Sequence, residues 1–133
     1  MSASMILATL GALAMGSNAT PSKSLNGFPP AYVGRWGDDA AACSPGAIHA
    51  GLTIKPKLVV DGEFNGQVTS VVREPDGSLE VVEVWDTAES NATKYRSSYS
   101  LSKDGKLLTV RTLEPANEYF TEPLKFIRCG VKR

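Results

Sequence analysis

The chain has few of the residues that build catalytic or metal sites. Its 133 residues include two cysteines and a single histidine, His49. A serine or cysteine hydrolase places a base beside its nucleophile, and zinc sites use clustered Cys and His ligands, so the sequence favours neither an enzyme nor a metal or cofactor site. The adjacent acids Asp38 and Asp39 lack the further carboxylates of a calcium loop, and we expect an exposed turn there.

The chain also lacks an excess of charge of either sign. Fourteen Lys and Arg residues balance fourteen Asp and Glu residues, which gives a formal net charge of zero. Because no overall field attracts polyanions, neither a nucleic-acid partner nor an anionic membrane surface is expected.

A long apolar run is missing except near the start, at residues 5–15. This run is shorter than the ~20 residues of a membrane span but has the length of a signal-peptide core. Small residues precede candidate cleavage points after Gly16 and Ala19, although no Lys or Arg precedes the run. The pattern predicts a signal peptide at residues 1–19 and a periplasmic or secreted protein without a membrane span, and a buried helix is the alternative.

The two cysteines, Cys43 and Cys129, lie far apart in the sequence. In an exported protein two cysteines usually pair, so we predict one disulfide. Closing a loop of roughly 85 residues removes about 4 to 5 kcal/mol of conformational freedom from the unfolded chain in the chain-entropy model.

The remaining sequence alternates between strand-forming runs and turns. Residues 20–31 are rich in Pro, Ser, Asn and Gly and predict a flexible N-terminal tail, which leaves residues 32–133 as a single domain. No run in that domain shows a sustained helical period. The pattern predicts eight strands, at residues 32–36, 50–54, 57–60, 67–73, 78–86, 94–101, 106–113 and 123–129.

Turn sequences join the central strands into hairpins. Residues 74–77 (Glu-Pro-Asp-Gly) supply a Pro and a Gly where a turn needs them, and residues 103–105 (Lys-Asp-Gly) supply a Gly for the second turn. Closing eight sequential strands removes two exposed sheet edges. We therefore predict an all-β fold, an antiparallel up-and-down meander of about eight strands closed into a small monomeric barrel. A two-sheet sandwich has the same alternation and is the alternative.

A four-residue turn at 74–77 also predicts which side chains face the interior. It sets Val72 opposite Leu79, Ser70 opposite Val81 and Val68 opposite Glu83. Continuing the alternation adds to the inner face Trp85, Tyr95, Ser97, Tyr99, Leu101, Leu108, Val110 and Thr112. The outer face then carries Glu80, Asp86, Lys94, Arg96, Ser98, Ser100 and Arg111.

Glu83 is the unusual residue on the predicted inner face, because an unpaired buried carboxylate costs several kcal/mol or becomes protonated. In one interpretation Glu83, Trp85, Tyr95 and Tyr99 line a small ligand cavity with aromatic walls and one acid. In the other, a bulge or a position near the barrel mouth lets Glu83 reach solvent. The second interpretation is the more ordinary one, since a one-residue slip in register suffices for it.

The tripeptide Gly34-Arg35-Trp36 resembles the G-x-W signature of lipocalins and related calycins. That resemblance implies a ligand-binding barrel in which the Trp closes one end beneath a basic side chain of the last strand, a place that Arg128 fits. An Arg over an aromatic face is a cation–π contact worth about 0.5 to 2 kcal/mol. Gly34, Trp36 and Arg128 are therefore predicted to be structural.

The size, the expected compartment, the early Trp and the single disulfide are also similar to those of exported bacterial barrels that inhibit metalloproteases or lysozymes. The metalloprotease inhibitors insert a flexible N-terminal segment into the protease cleft, and residues 20–31 resemble such a segment. The cysteine spacing departs from that family, which closes a short loop near its start. The sequence thus leads to a non-catalytic exported binding protein for a small apolar or amphipathic ligand, with an inhibitor of an extracytoplasmic hydrolase as the alternative.

Overall fold

Nine β-strands and two single 3₁₀ turns form the part of the chain that the computed structural model describes, residues 21–44, 51–86, 93–115 and 122–130. The 3₁₀ turns are Pro30–Tyr32 and Ala41–Cys43. The strands are β1 (Lys23–Leu25), β2 (Gly34–Gly37), β3 (Leu52–Lys55), β4 (Leu58–Asp61), β5 (Phe64–Arg73), β6 (Leu79–Asp86), β7 (Thr93–Leu101), β8 (Leu107–Glu114) and β9 (Leu124–Arg128).

Strands β2 to β9 form a closed antiparallel barrel. Each pairs with the next along the chain, and β9 returns to pair with β2. Closure gives each of these eight strands a partner on both sides. The predicted all-β up-and-down barrel is therefore confirmed, and the sandwich alternative is wrong.

Both predicted turns are present, and each is held by an aspartate. Asp76 accepts hydrogen bonds from the backbone N–H and the hydroxyl of Ser78 at 2.9 and 2.7 Å. Asp104 accepts from the Ser102 hydroxyl at 2.7 Å and the Lys106 N–H at 3.0 Å. The aspartate carboxylates thus take the place of backbone acceptors, as Asx turns do.

The register of β5 against β6 differs from the prediction near the turn. Arg73 pairs with Leu79 and Val71 with Val81, because Ser78 joins the turn and lengthens it by one residue. Val71 is therefore the buried residue, while Val72 and Ser70 leave the inner face. A bulge between Val68 and Ser70 then restores the predicted pairing of Val68 with Glu83.

Part of the segment predicted as a flexible tail instead lies in the sheet. Residues 23–25 form β1, which pairs with residues 71–73 at the end of β5. This part of β5 lies beyond the residues that pair with β4. Phe28 follows, is buried, and donates its N–H to the Pro56 carbonyl at 2.8 Å. Because Phe28 packs into the core, the hydrophobic effect holds this segment against the barrel. The predicted signal peptide, residues 1–19, lies outside the described residues.

One end of the barrel is closed by an aromatic core. Trp36 is fully buried and donates its indole N–H to the Tyr32 carbonyl at 3.0 Å. The guanidinium of Arg128 lies 4.2 Å from the centre of the Trp36 ring, which is the cation–π contact predicted for this pair. The same guanidinium donates to the backbone carbonyls of Gly105, Val33 and Ala31.

The predicted disulfide joins Cys43 to Cys129, with the two Cα atoms 5.2 Å apart. It ties the 3₁₀ turn after β2 to the residue that follows β9. These two strands share only the pairs Arg128–Trp36 and Ile127–Gly37, the shortest ladder in the closed barrel. The disulfide therefore reinforces the seam where the barrel closes.

Candidate functional site

A cavity of about 620 Å³ occupies the barrel end opposite the Trp36 core. Its walls come from the last residues of β4, β6 and β8 and from the first residues of β3, β5, β7 and β9. The lining is mostly apolar or aromatic, with a few polar groups, as in many small-molecule sites. The side chains that line it are Asp38, Leu52, Val59, Asp61, Phe64, Glu83, Trp85, Tyr95, Ser97, Tyr99, Val110, Thr112, Leu124, Lys125 and Phe126.

The four predicted site residues, Glu83, Trp85, Tyr95 and Tyr99, all line this cavity. The bulge that the alternative interpretation required is present in β5, but it does not turn Glu83 outward. Glu83 is only 3 % exposed. The bulge instead offsets the longer turn, so that Glu83 stays on the inner face.

The carboxylate of Glu83 is held by two hydrogen-bond donors. The indole N–H of Trp85 donates to one oxygen at 2.9 Å, and the Tyr99 hydroxyl donates to the other. Burial raises the pKa of Glu83, and the two donors oppose that rise because they stabilise the ionised form. The site is therefore built around a carboxylate that has little access to water.

Tyr99 connects the cavity to the core beneath it. Its ring packs edge-on against Phe28 with the ring centres 5.0 Å apart, and its hydroxyl reaches Glu83. Burial, followed by the negative charge of Glu83, raises the pKa of Tyr99 well above its ordinary value. The phenol consequently remains a hydrogen-bond donor at physiological pH.

Trp85 is positioned by the glycine opposite it on β5. Gly66 pairs with Trp85, and a Cβ atom at Gly66 would lie 2.6 Å from Cζ2 of the indole. No other residue type leaves room for the ring to lie on the backbone. This close approach directs the indole N–H of Trp85 toward Glu83 in the same strand.

The rim of the cavity combines apolar and charged side chains. Phe64 and Leu124 are 41 % and 56 % exposed, and Asp38, Asp61 and Lys125 lie beside them. Partial burial, and then the nearby charge of Asp38, raise the pKa of Asp61. Sequence reasoning did not identify Asp61, Phe64 and Lys125 as site residues. The exact ends of β4, β5 and β9 decide which side chains reach the open end, and the sequence pattern does not define those ends.

The described residues contain no cluster of His, Cys, Asp and Glu able to hold a metal ion. His49 lies outside the described residues. Asp39 accepts a hydrogen bond from the Ala42 N–H at 3.0 Å just before the 3₁₀ turn Ala41–Cys43, while Asp38 is exposed at the cavity rim. The expected exposed turn at these two acids is therefore present.

Comparison with known proteins finds no counterpart, since no protein-family model, no curated protein and no solved structure matches the chain. The class of the protein follows from its own structure: a small eight-stranded antiparallel β-barrel with one disulfide and an internal cavity. Among the residues described, no helix is long and apolar enough to span a membrane.

Proposed function

We propose that this protein is a non-catalytic binding protein that holds a small apolar or amphipathic molecule inside the barrel. The observation that carries the proposal is the cavity of about 620 Å³, whose aromatic and aliphatic walls surround the single buried acid Glu83. Pockets of this size and composition bind drug-sized molecules, and the few polar groups fix the orientation of the ligand.

The apolar rim supports the same proposal. Among the described residues three large apolar side chains are strongly exposed, Phe64, Leu107 and Leu124, and two of them, Phe64 and Leu124, line the cavity. Exposed apolar groups around a concave site contribute to binding, because a ligand covers them.

Titration with the neutral apolar dye Nile red, read by dye fluorescence and by quenching of Trp85, tests this function. We expect saturable binding that Leu124→Ser weakens about fivefold, since roughly half of a leucine's burial energy is lost. Leu107→Ser is the matched control, because Leu107 is a similarly exposed leucine outside the cavity. Tyr99→Ala should weaken binding as well, by removing the floor of the cavity.

Absence of saturable dye binding, or equal effects of Leu124→Ser and Leu107→Ser, would show that the cavity is not a ligand site. Native mass spectrometry of protein purified from its own host provides an independent readout. A retained small molecule supports the proposal, whereas a co-purifying hydrolase contradicts it.

We also propose that the protein is related to lipocalins and calycins and is exported. Support for the relation comes from the closed eight-stranded barrel and from the Trp36–Arg128 contact beside Gly34. Support for export comes from the Cys43–Cys129 disulfide, since disulfides persist in oxidising compartments. Mass spectrometry of the mature N-terminus tests export, with cleavage after Gly16 or Ala19 as the expected result.

The inhibitor alternative receives less support from the same contacts. It needs residues 20–31 to be free to enter a protease cleft, but residues 23–25 pair with β5 and Phe28 is buried. Deletion of residues 17–30 therefore removes a paired strand and a buried core residue as well as any free segment. We propose small-molecule binding in preference to inhibition for this reason.

A further inference from the structure

The charge inside the cavity is not balanced by the protein. Among the described residues the ion pairs join Arg96 to Glu80 and Glu114, and none involves Glu83. Trp85 and Tyr99 each donate one hydrogen bond to Glu83, whereas a carboxylate has about four acceptor positions. Acceptor positions and a negative charge thus remain for a ligand.

Ser97 is a second polar residue in the cavity wall. Ser97 is 3 % exposed and lines the cavity, and within the described residues no hydrogen bond is formed by its hydroxyl. A buried hydroxyl is stabilised by a hydrogen-bond partner. Ser97 therefore provides an oxygen that a polar group inside the cavity can use.

Strand register places this hydroxyl near Glu83 and a second hydroxyl. Ser97 pairs with Val81 on one side and with Thr112 on the other. Glu83 is two residues beyond Val81 on the same face, a diagonal separation of about 7 to 8 Å between backbones. Glu83, Ser97 and Thr112 therefore form one polar part of the cavity wall, with three side chains that can accept hydrogen bonds. A primary ammonium has three donors to match them.

The surroundings favour a positive rather than a neutral donor. Among the described residues that line the cavity, three are acids, Asp38, Asp61 and Glu83, and one is basic, Lys125, which is exposed at the rim. Aromatic rings complete the wall, and their faces attract organic cations. An anionic ligand, in contrast, would be repelled by Glu83 at close range.

We infer that the ligand is an organic cation, a protonated amine with an apolar body, whose ammonium group binds between Glu83 and Ser97. The inference rests on the proposed function, because it assigns the ligand class of the same cavity. The apolar body contacts the aromatic walls and the rim at Leu124.

The test compares three molecules that share one body: phenylbutylamine, phenylbutanol and phenylbutyrate. Calorimetric titration near neutral pH should give the amine about ten- to a hundredfold tighter binding than the alcohol, the range expected for a buried hydrogen bond to a charge. The butyrate should bind more weakly than the alcohol.

Two variants on β6 test whether Glu83 causes the preference for the amine. Glu83→Gln should abolish the preference for the amine, so that the amine and the alcohol bind with similar affinity. Glu80→Gln is the matched control, because it removes the same charge from the outer face of the same strand, and it should keep the preference. Ser97→Ala should reduce the preference severalfold, and it serves as the second variant should Glu83→Gln not fold.

Two results would overturn the inference, and a third would overturn the proposed function. Equal or tighter binding of the alcohol or the butyrate to the native protein shows that the ligand class is wrong, while Nile red binding still supports a cavity site. An amine preference that survives both Glu83→Gln and Ser97→Ala shows that general charge attraction causes it. Loss of Nile red binding together with all three molecules instead refutes the proposed function itself.

Discussion

The side chain of Glu83 shows how one residue links stability to the site. It is buried at 3 % exposure, and the bonds from Trp85 and Tyr99 offset part of the cost of burying its charge. A carboxylate buried without a cation destabilises the folded state in its ionised form. The position of Glu83 therefore costs stability in the ionised form, and this cost is consistent with a role in the proposed site rather than in folding.

Stability should depend on pH through Glu83. Because burial raises its pKa, the folded protein binds this proton more tightly than the unfolded chain does. The free energy of unfolding therefore falls as pH rises from the ordinary pKa of a glutamate through the raised value. Glu83→Gln removes this contribution. In urea unfolding from about pH 4 to pH 8, the free energy of unfolding of the variant should therefore increase relative to that of the native protein as pH rises.

Glu80→Gln serves as the reference for this series, since Glu80 lies on the outer face and pairs with Arg96. A stability difference between Glu83→Gln and the native protein that stays constant over the whole pH range would contradict the prediction.

Arg128 acts at the opposite end of the barrel. Its guanidinium covers Trp36 and donates to three backbone carbonyls from two segments of the chain, Ala31 and Val33 before β2 and Gly105 before β8. Arg128→Ala should lower the free energy of unfolding by about 2 to 4 kcal/mol, because the stacking contact and several charge-assisted hydrogen bonds are lost together. Urea unfolding measures the change.

The exposed Arg111 on β8 provides the control, and Arg111→Ala should change stability by about 0.5 kcal/mol or less. Similar losses for the two arginines would show that Arg128 has no special structural role.

At the level of elements, the pairing of β5 with β6 positions the site. The longer turn after β5 moves the register by one residue, and the bulge between Val68 and Ser70 moves it back. The bulge lies between the turn and the cavity. The two strands therefore reach the open end in the register that places Gly66 against Trp85.

Gly66→Ala should displace the Trp85 ring, because the new methyl group would overlap the indole. The expected results are a red shift of tryptophan emission, weaker Nile red binding and an unchanged far-UV circular dichroism spectrum. Gly130→Ala is the control, since no atom lies near a Cβ at Gly130. Native-like emission and dye affinity in Gly66→Ala would show that Trp85 does not depend on this contact.

For the whole molecule, closure of the barrel depends on the short pairing of β2 with β9. The disulfide reinforces that pairing across a sequence separation of 86 residues. Replacing both cysteines by serine should lower the free energy of unfolding by about 2 to 5 kcal/mol, chiefly because the unfolded chain regains the freedom of a long loop.

Urea unfolding of the oxidised protein, the reduced protein and the double serine variant measures this effect. The reduced protein and the variant should unfold at similar, lower urea concentrations. Equal unfolding midpoints for all three forms would show that strand pairing alone closes the barrel.

The sequence by itself determined the eight strands of the barrel, the two turns, the disulfide and the inner face from Glu83 to Thr112. These follow from local rules, since alternation and turn chemistry act over a few residues and two cysteines have only one way to pair. The placement of Trp36 under Arg128 was also accessible, because Gly34-Arg35-Trp36 resembles a known signature.

Only the tertiary structure decided that residues 23–25 and Phe28 belong to the barrel and that Val71 rather than Val72 is buried. It also decided that a cavity remains beside Glu83. A three-residue strand has too weak a pattern to be recognised, a one-residue change in a turn inverts the face of a strand, and a cavity depends on how eight strands pack together. Each of these outcomes is set by long-range packing, on which the local sequence carries little information.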